Sequence, residues 1–415
     1  MQRKLHTAQG CMSIYRYIGF VNILCCLAFL LASSSGCAMI SPPTDNAATV
    51  SAKNASSHAG SSAGMLQRSL AVVHALMQNM SLDQKLGQLL LVEYLGNSYQ
   101  RSDLQAMITE QYVGGFMYQE SNRNFEPPYN DISSVNAFSY QAQSDAQIPL
   151  LIATDQEGGL VNRLFRFHGA LPSAQEMAKS GDPQVASVQG MQFAQWMQEL
   201  GMNADLAPVV DVRTVDPSIL QSRIFGRDPD TVATYAGAFL DGLQANHVAG
   251  CLKHFPGLGA ITSDPHNGLP IVPRSMDELS AIDLAPYKLM IPAKKPAMVM
   301  STDVLMPAID PDLPAELSPK AINGLLRGEL KYDGVVITDG LYMRGITERW
   351  TIGEAAVLAI LAGNDIVEGP YTLGTVAKVM TAFKEALQEG RLSVERIDQS
   401  VQRILLMKVQ YGIIS

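Results

Sequence analysis

Short apolar runs recur along this chain, and stretches with helical spacing of apolar residues separate them. The runs occupy 89–94, 113–118, 149–154, 204–212, 248–253, 297–301, 334–338 and 365–367. Runs of this length predict strands buried on both faces, the signature of a parallel sheet. Eight such strands alternating with helices fit a closed barrel or an open, doubly wound sheet. The polar residues separate these two solutions. Asp155, Asp211, Lys253, Asp303 and Asp339 stand at the C-terminal ends of five runs, where barrel enzymes present their reacting groups. The expected fold is α/β, a single (β/α)8 barrel of the TIM type with room for irregularity.

Helix signals fall between the runs. Ser81-Leu82-Asp83-Gln84 is a capping-box pattern that predicts a helix start. Helices are also expected over 373–389 and 397–409, so the barrel pattern runs almost to residue 415 and leaves no room for a second α/β domain.

The N-terminal part has a different texture. Arg3, Lys4 and Arg16 precede an apolar stretch over 18–32, which is short for a membrane span and suits the core of an export signal. Small residues then lead to Cys37, which resembles a bacterial lipoprotein cleavage and lipidation site, although Ser34 stands where Leu is usual. A retained anchor and simple secretion are the alternatives. The next segment, over 41–64, is rich in Ser, Ala, Asn and Pro and carries too few large apolar residues to fold. The expected division is a signal peptide over 1–37, a tether over 38–64 and the barrel over 65–415. The protein is then exported and anchored in a membrane, facing the extracytoplasmic side.

Composition narrows the function. The formal charge of −9 argues against a nucleic-acid partner. Of five cysteines only Cys251 lies beyond residue 38, within an apolar run, and reads as a small core residue. The seven histidines lack the paired spacing of metal ligands, and Gly257 and Gly259 lack the sequel of a phosphate-binding loop. No metal and no cofactor is expected.

The chemistry concentrates in two motifs. Lys253-His254-Phe255-Pro256-Gly257-Leu258-Gly259 is followed, after four residues, by Asp264-Pro265-His266. Gly334-Val335-Val336-Ile337-Thr338-Asp339 is a buried run ending in a carboxylate. On position alone, Asp339 is equally a nucleophile or the cap of a following helix. A loop histidine by itself reads as a solvated surface residue, the better reading for His168, whereas the spacing of His266 to Asp264 and to Lys253-His254 favours catalysis. Both motifs resemble those of family 3 glycoside hydrolases, in the β-N-acetylglucosaminidase branch. The resemblance extends from about Met80 to Gly412.

That resemblance implies a retaining mechanism on two groups. Asp339 is the implied nucleophile. His266, oriented by Asp264, is the implied acid/base, a role that imidazole suits because its ordinary pKa of about 6.5 lies near operating pH. Glu157, the competing acid/base, reads as structural support. Asp155, Arg163, Arg223, Lys253 and His254 are the implied grips on sugar hydroxyls. Leu160 and Gly340 depart from the family pattern, and Asp303 stands where relatives often carry His. The implied activity is exo-hydrolysis of terminal N-acetylglucosamine from peptidoglycan- or chitin-derived glycans, with a small glycan or glycopeptide as substrate. The alternatives are a β-glucosidase or phosphorolytic enzyme on the same scaffold, or a non-catalytic glycan-binding surface lipoprotein.

Overall fold

The computed structural model describes residues 64–127, 130–262 and 268–415. The signal segment with Cys37, the tether up to residue 63, and both Asp264 and His266 lie outside the described residues.

All eight expected runs form strands, and they pair in sequence order. The strands are β1 (Leu90–Val92), β2 (Gly115–Tyr118), β3 (Leu151–Thr154), β4 (Ala204–Asp205), β5 (Ala249–Phe255), β6 (Met298–Ser301), β7 (Val335–Gly340) and β8 (Ile366–Glu368). Each pairs in parallel with the next, and β8 pairs with β1 to close the barrel. The open, doubly wound alternative is thereby excluded.

The two faces of each strand feed two layers of core. Leu91, Met117, Leu151, Ala204, Cys251, Met298 and Ile337 fill the barrel interior, and a larger outer layer joins the strands to the helices. Cys251 is a buried free thiol, as its apolar run predicts. Strand β4 is much shorter than the run 204–212. Pro208 brings no N–H to the ladder, so pairing lapses after Asp205 and resumes only as an isolated bridge from Val209 to Lys253.

The helix signals are placed well. Ser81 caps Leu82–Gln88 with both hydrogen bonds of the capping box. The expected helix over 397–409 begins three residues earlier, at Val394, because Ser393 accepts from the backbone N–H of Arg396 and caps it. This last helix covers the N-terminal end of the barrel, where Ile404 and Met407 join the interior cluster. Asp365 opens β8 at the same end and is buried against Arg327 (2.6 Å) and Arg403 (3.2 Å). Its charges are used for cohesion, whereas those at the opposite end line a pocket.

Candidate active site

A cavity of about 290 Å³ opens at the C-terminal mouth of the barrel. It brings together Asp155, Arg163, Arg223, Lys253, His254 and Asp339, every candidate site residue within the described part of the chain.

One wall is a network of ion pairs. Asp155 follows β3, and the chain then turns back as a hairpin of Gln156–Gly158 and Val161–Asn162. The turn needs glycine at both corners. Gly158 and Gly159 have positive φ, and a Cβ on Gly158 would lie 2.1 Å from the Pro172 carbonyl oxygen. The hairpin sets Glu157 behind the pocket and Arg163 on its rim.

Lys253 on β5 reaches across to Asp155 (2.6 Å) and Glu157 (2.8 Å). Arg223, on the loop after β4, grips both Glu157 oxygens through Nε (2.7 Å) and one terminal nitrogen (2.8 Å). Burial pushes the Glu157 carboxyl up, but Arg223 and then Lys253 outweigh it and hold it well below the usual carboxylate range. Burial pushes Lys253 down, and Asp155 and Glu157 more than reverse this. Asp155 is likewise held low by Lys253 and Arg163 against the effect of burial. Asp155, Glu157, Arg223 and Lys253 therefore stay ionised near neutral pH, and Glu157 is the structural support its position suggested.

His254 depends on a residue to which the sequence alone assigns no role. Its Nδ1 lies 2.7 Å from Asp211 Oδ2, while Asp211 Oδ1 accepts from the Leu258 backbone N–H. Asp211 thus orients the imidazole and anchors the glycine-rich turn together. Its place near the end of the fourth run was the available signal. His168 is half-buried at the surface. It stacks on Trp196, with ring centroids 3.9 Å apart.

Asp339 stands on the far side of the cavity, near the end of β7. One carboxylate oxygen accepts from the Thr302 hydroxyl at 2.8 Å and the other from the Gly340 backbone N–H at 2.9 Å. No helix begins at Asp339, since the strand continues to Gly340. The helix-cap reading of this residue is therefore set aside. Asp303 is fully buried beside this strand, and one of its oxygens lies 2.4 Å from where a Gly345 side chain would begin.

Sequence reasoning also passed over two carboxyls, Glu93 just beyond β1 and Glu368 at the end of β8. Glu368 lines the cavity. It falls one residue beyond the expected eighth run, so the strand-end signal that singled out Asp339 would also have found it. Among the described residues no group of three or more His, Cys, Asp or Glu is placed to hold a metal ion.

A closed parallel barrel whose mouth sets a carboxylate across a cavity from a network of ion pairs has the architecture of a barrel enzyme. The chain belongs to glycosyl hydrolase family 3 and is a glycoside hydrolase. The model of the family's N terminal domain matches residues 81–407. A beta-hexosaminidase, LpqI, from Mycobacterium tuberculosis is 33% identical over 400 residues, covering 94% of this chain and 98% of that protein. Beta-hexosaminidase A from Pseudoalteromonas piscicida is 32% identical over 371 residues, covering 79% of this chain and 61% of that one. Among solved structures, a family 3 β-N-acetylglucosaminidase from Paenibacillus superposes with a TM-score of 0.77 at 36% identity, covering 80% of this chain and 63% of that chain.

Proposed function

We propose that the protein is a retaining exo-β-N-acetylhexosaminidase that removes terminal N-acetylglucosamine from peptidoglycan- or chitin-derived glycans. The observation that carries this reading is the placement of Asp339 across the cavity from the cradle of Asp155, Arg223, Lys253 and His254. One sugar ring gripped by the cradle presents its anomeric carbon to Asp339. A small cavity favours cleavage from a chain end. The names of the relatives support the N-acetylated sugar.

In this mechanism Asp339 attacks the anomeric carbon and forms a glycosyl ester as the leaving oxygen takes a proton from His266. Thr302 and Gly340 hold both Asp339 oxygens, which limits the carboxylate to geometries suited to attack. His266 then removes a proton from the water that cleaves the ester, with Asp264 supporting the charged ring. Two inversions give net retention. Treatment with a 2-deoxy-2-fluoro glycoside, which slows hydrolysis of the ester, labels Asp339 in a peptide mass map. A label on any other carboxylate overturns the assignment.

The export reading is part of the same proposal. Cys37 carries the lipid, and the tether holds the barrel on the extracytoplasmic side, within reach of wall fragments. The full chain is expected to partition into detergent, and Cys37→Ala to abolish that partitioning. Unchanged partitioning of the variant argues for a retained anchor instead.

A further inference from the structure

The cavity has a second wall whose chemistry is opposite to that of the cradle. Strands β3 and β7 lie four apart in either direction around the eight-stranded ring, so Asp155 and Asp339 face each other across the mouth. A pyranose spanning them turns one edge toward β4 and β5 and the other toward β8, β1 and β2. The first edge meets Arg223, Lys253 and His254, and the second meets Glu368, Gln119 and Met117.

Glu368 is 4% exposed, and among the described residues one of its oxygens has no hydrogen-bond donor. Its other oxygen lies 3.0 Å from where a side chain on Gly340 would begin, directly beside the nucleophile's strand. Glu93 stands behind it, held by the side-chain amide of Asn122. No ion pair involves either carboxyl among the described residues, and each lies close enough to act on the other's charge. Burial raises both carboxyls, and for Glu368 the charges of Glu93, Asp339 and Asp155 add to it and raise it well above the usual value. The unpartnered Glu368 oxygen is an acceptor for a ligand.

The orientation of the sugar follows from the two walls. Arg223, Lys253 and His254 offer adjacent nitrogens on one side, which match the vicinal oxygens and the C2 substituent of the C2–C3 edge. The remaining edge, C5 with its hydroxymethyl group, faces the carboxyl pair. We infer that Glu368, positioned by Glu93, determines specificity at C6 of the terminal sugar: it accepts a hydrogen bond from the 6-hydroxyl and excludes sugars carrying an anion at C6. The exclusion has a simple cause. A phosphate or carboxylate at C6 would enter a wall of two buried acidic groups that make no ion pair among the described residues.

This inference rests on the hexosaminidase reading and deepens it. Its test compares kcat/KM on 4-nitrophenyl N-acetyl-β-glucosaminide, its 6-deoxy analogue and its 6-phosphate. The wild type is expected to disfavour the 6-deoxy analogue by about 10-fold or more and the 6-phosphate by about 1,000-fold or more. Glu368→Ala should bring the parent and 6-deoxy substrates to within about 3-fold of each other. Glu368→Gln keeps a carbonyl oxygen for the sugar and should keep the preference for the 6-hydroxyl whatever its absolute turnover. In the Glu93→Gln, Glu368→Gln double variant the pair is neutral, and discrimination against the 6-phosphate should fall by about 10-fold or more. An undiminished preference for the 6-hydroxyl in Glu368→Ala, or undiminished exclusion of the 6-phosphate in the double variant, overturns the inference. Failure of the hexosaminidase reading looks different, because the wild type then fails to turn over the parent N-acetylglucosaminide at all.

Discussion

Glu157 and Asp339 are both carboxylates at the barrel mouth, and their partners give them different roles. Glu157 is closed off by Arg223 and Lys253, which take both its oxygens, whereas Asp339 has, among the described residues, two neutral donors and faces the cavity. Glu157→Ala strips two poorly exposed cations of a shared partner. It should cost about 3–5 kcal/mol of stability, measured by denaturant unfolding, and raise KM as the cradle loosens. Asp339→Ala should leave unfolding nearly unchanged but lower turnover by several orders of magnitude in steady-state assays. His266→Ala is read through leaving groups. Substrates with poor leaving groups should suffer most, because they need a proton as the bond breaks. Nitrophenyl substrates should give a burst followed by slow turnover, and azide should partly restore the second step. Equal slowing of good and poor leaving groups, with no azide effect, would make His266 a binding residue and reopen the search for the acid/base.

Strands and helices were legible wherever local pattern and local structure coincide. Each of the eight apolar runs became a strand because burial on both faces demands continuous apolar sequence, and Ser81 announced its helix because a cap acts within one turn. Pro208 shortened β4 by removing a ladder donor, a consequence the apolar pattern does not display. Contacts between elements were not legible. The helices Pro183–Glu199 and Pro229–Ala245 approach so closely that a Cβ on Gly242 would lie 2.2 Å from the Ser187 carbonyl oxygen, and one on Gly190 equally close to that of Phe239. Gly242→Ala should therefore push the pair apart. The expected cost is about 1–3 kcal/mol, seen as a lower Tm with kcat preserved. An unchanged or raised Tm would mean that the helices can separate without loss.

Across the whole molecule the two ends of the barrel divide the work, with reacting groups at one mouth and cohesion at the other. Lys408 of the last helix is buried at the closed end, where its ammonium donates to Gln88 Oε1 and to the Gly114 carbonyl, each at 2.8 Å. Burial pushes its pKa down to about 7. The unfolded chain holds this proton up to roughly pH 10.4. Between about 7 and 10.4 the unfolded state thus binds more protons than the folded state, and stability must rise with pH through that window. The contribution is lost as pH falls through the folded value. Comparing Tm across pH 7–10 for the wild type and Lys408→Met should show a rising increment in the wild type alone. Parallel profiles would show that Lys408 remains charged in the folded protein.

The order of apolar runs, the helix cap at Ser81 and the polar residues at strand ends determined the barrel and most of the cradle, because these features depend on neighbours close in sequence. The flanking motifs marked Asp339, and its strand-end position showed which end of the barrel would hold it. Asp211 beneath His254 and Glu93 behind Glu368 were decided only by the closed barrel. Closure brings β1 beside β8, and parallel pairing sets the end of the fourth run against the fifth strand, so partners from 43 to hundreds of residues apart become neighbours. Whether a buried carboxyl is ionised, paired or sharing a proton depends on those neighbours, and no local pattern in the chain encodes them.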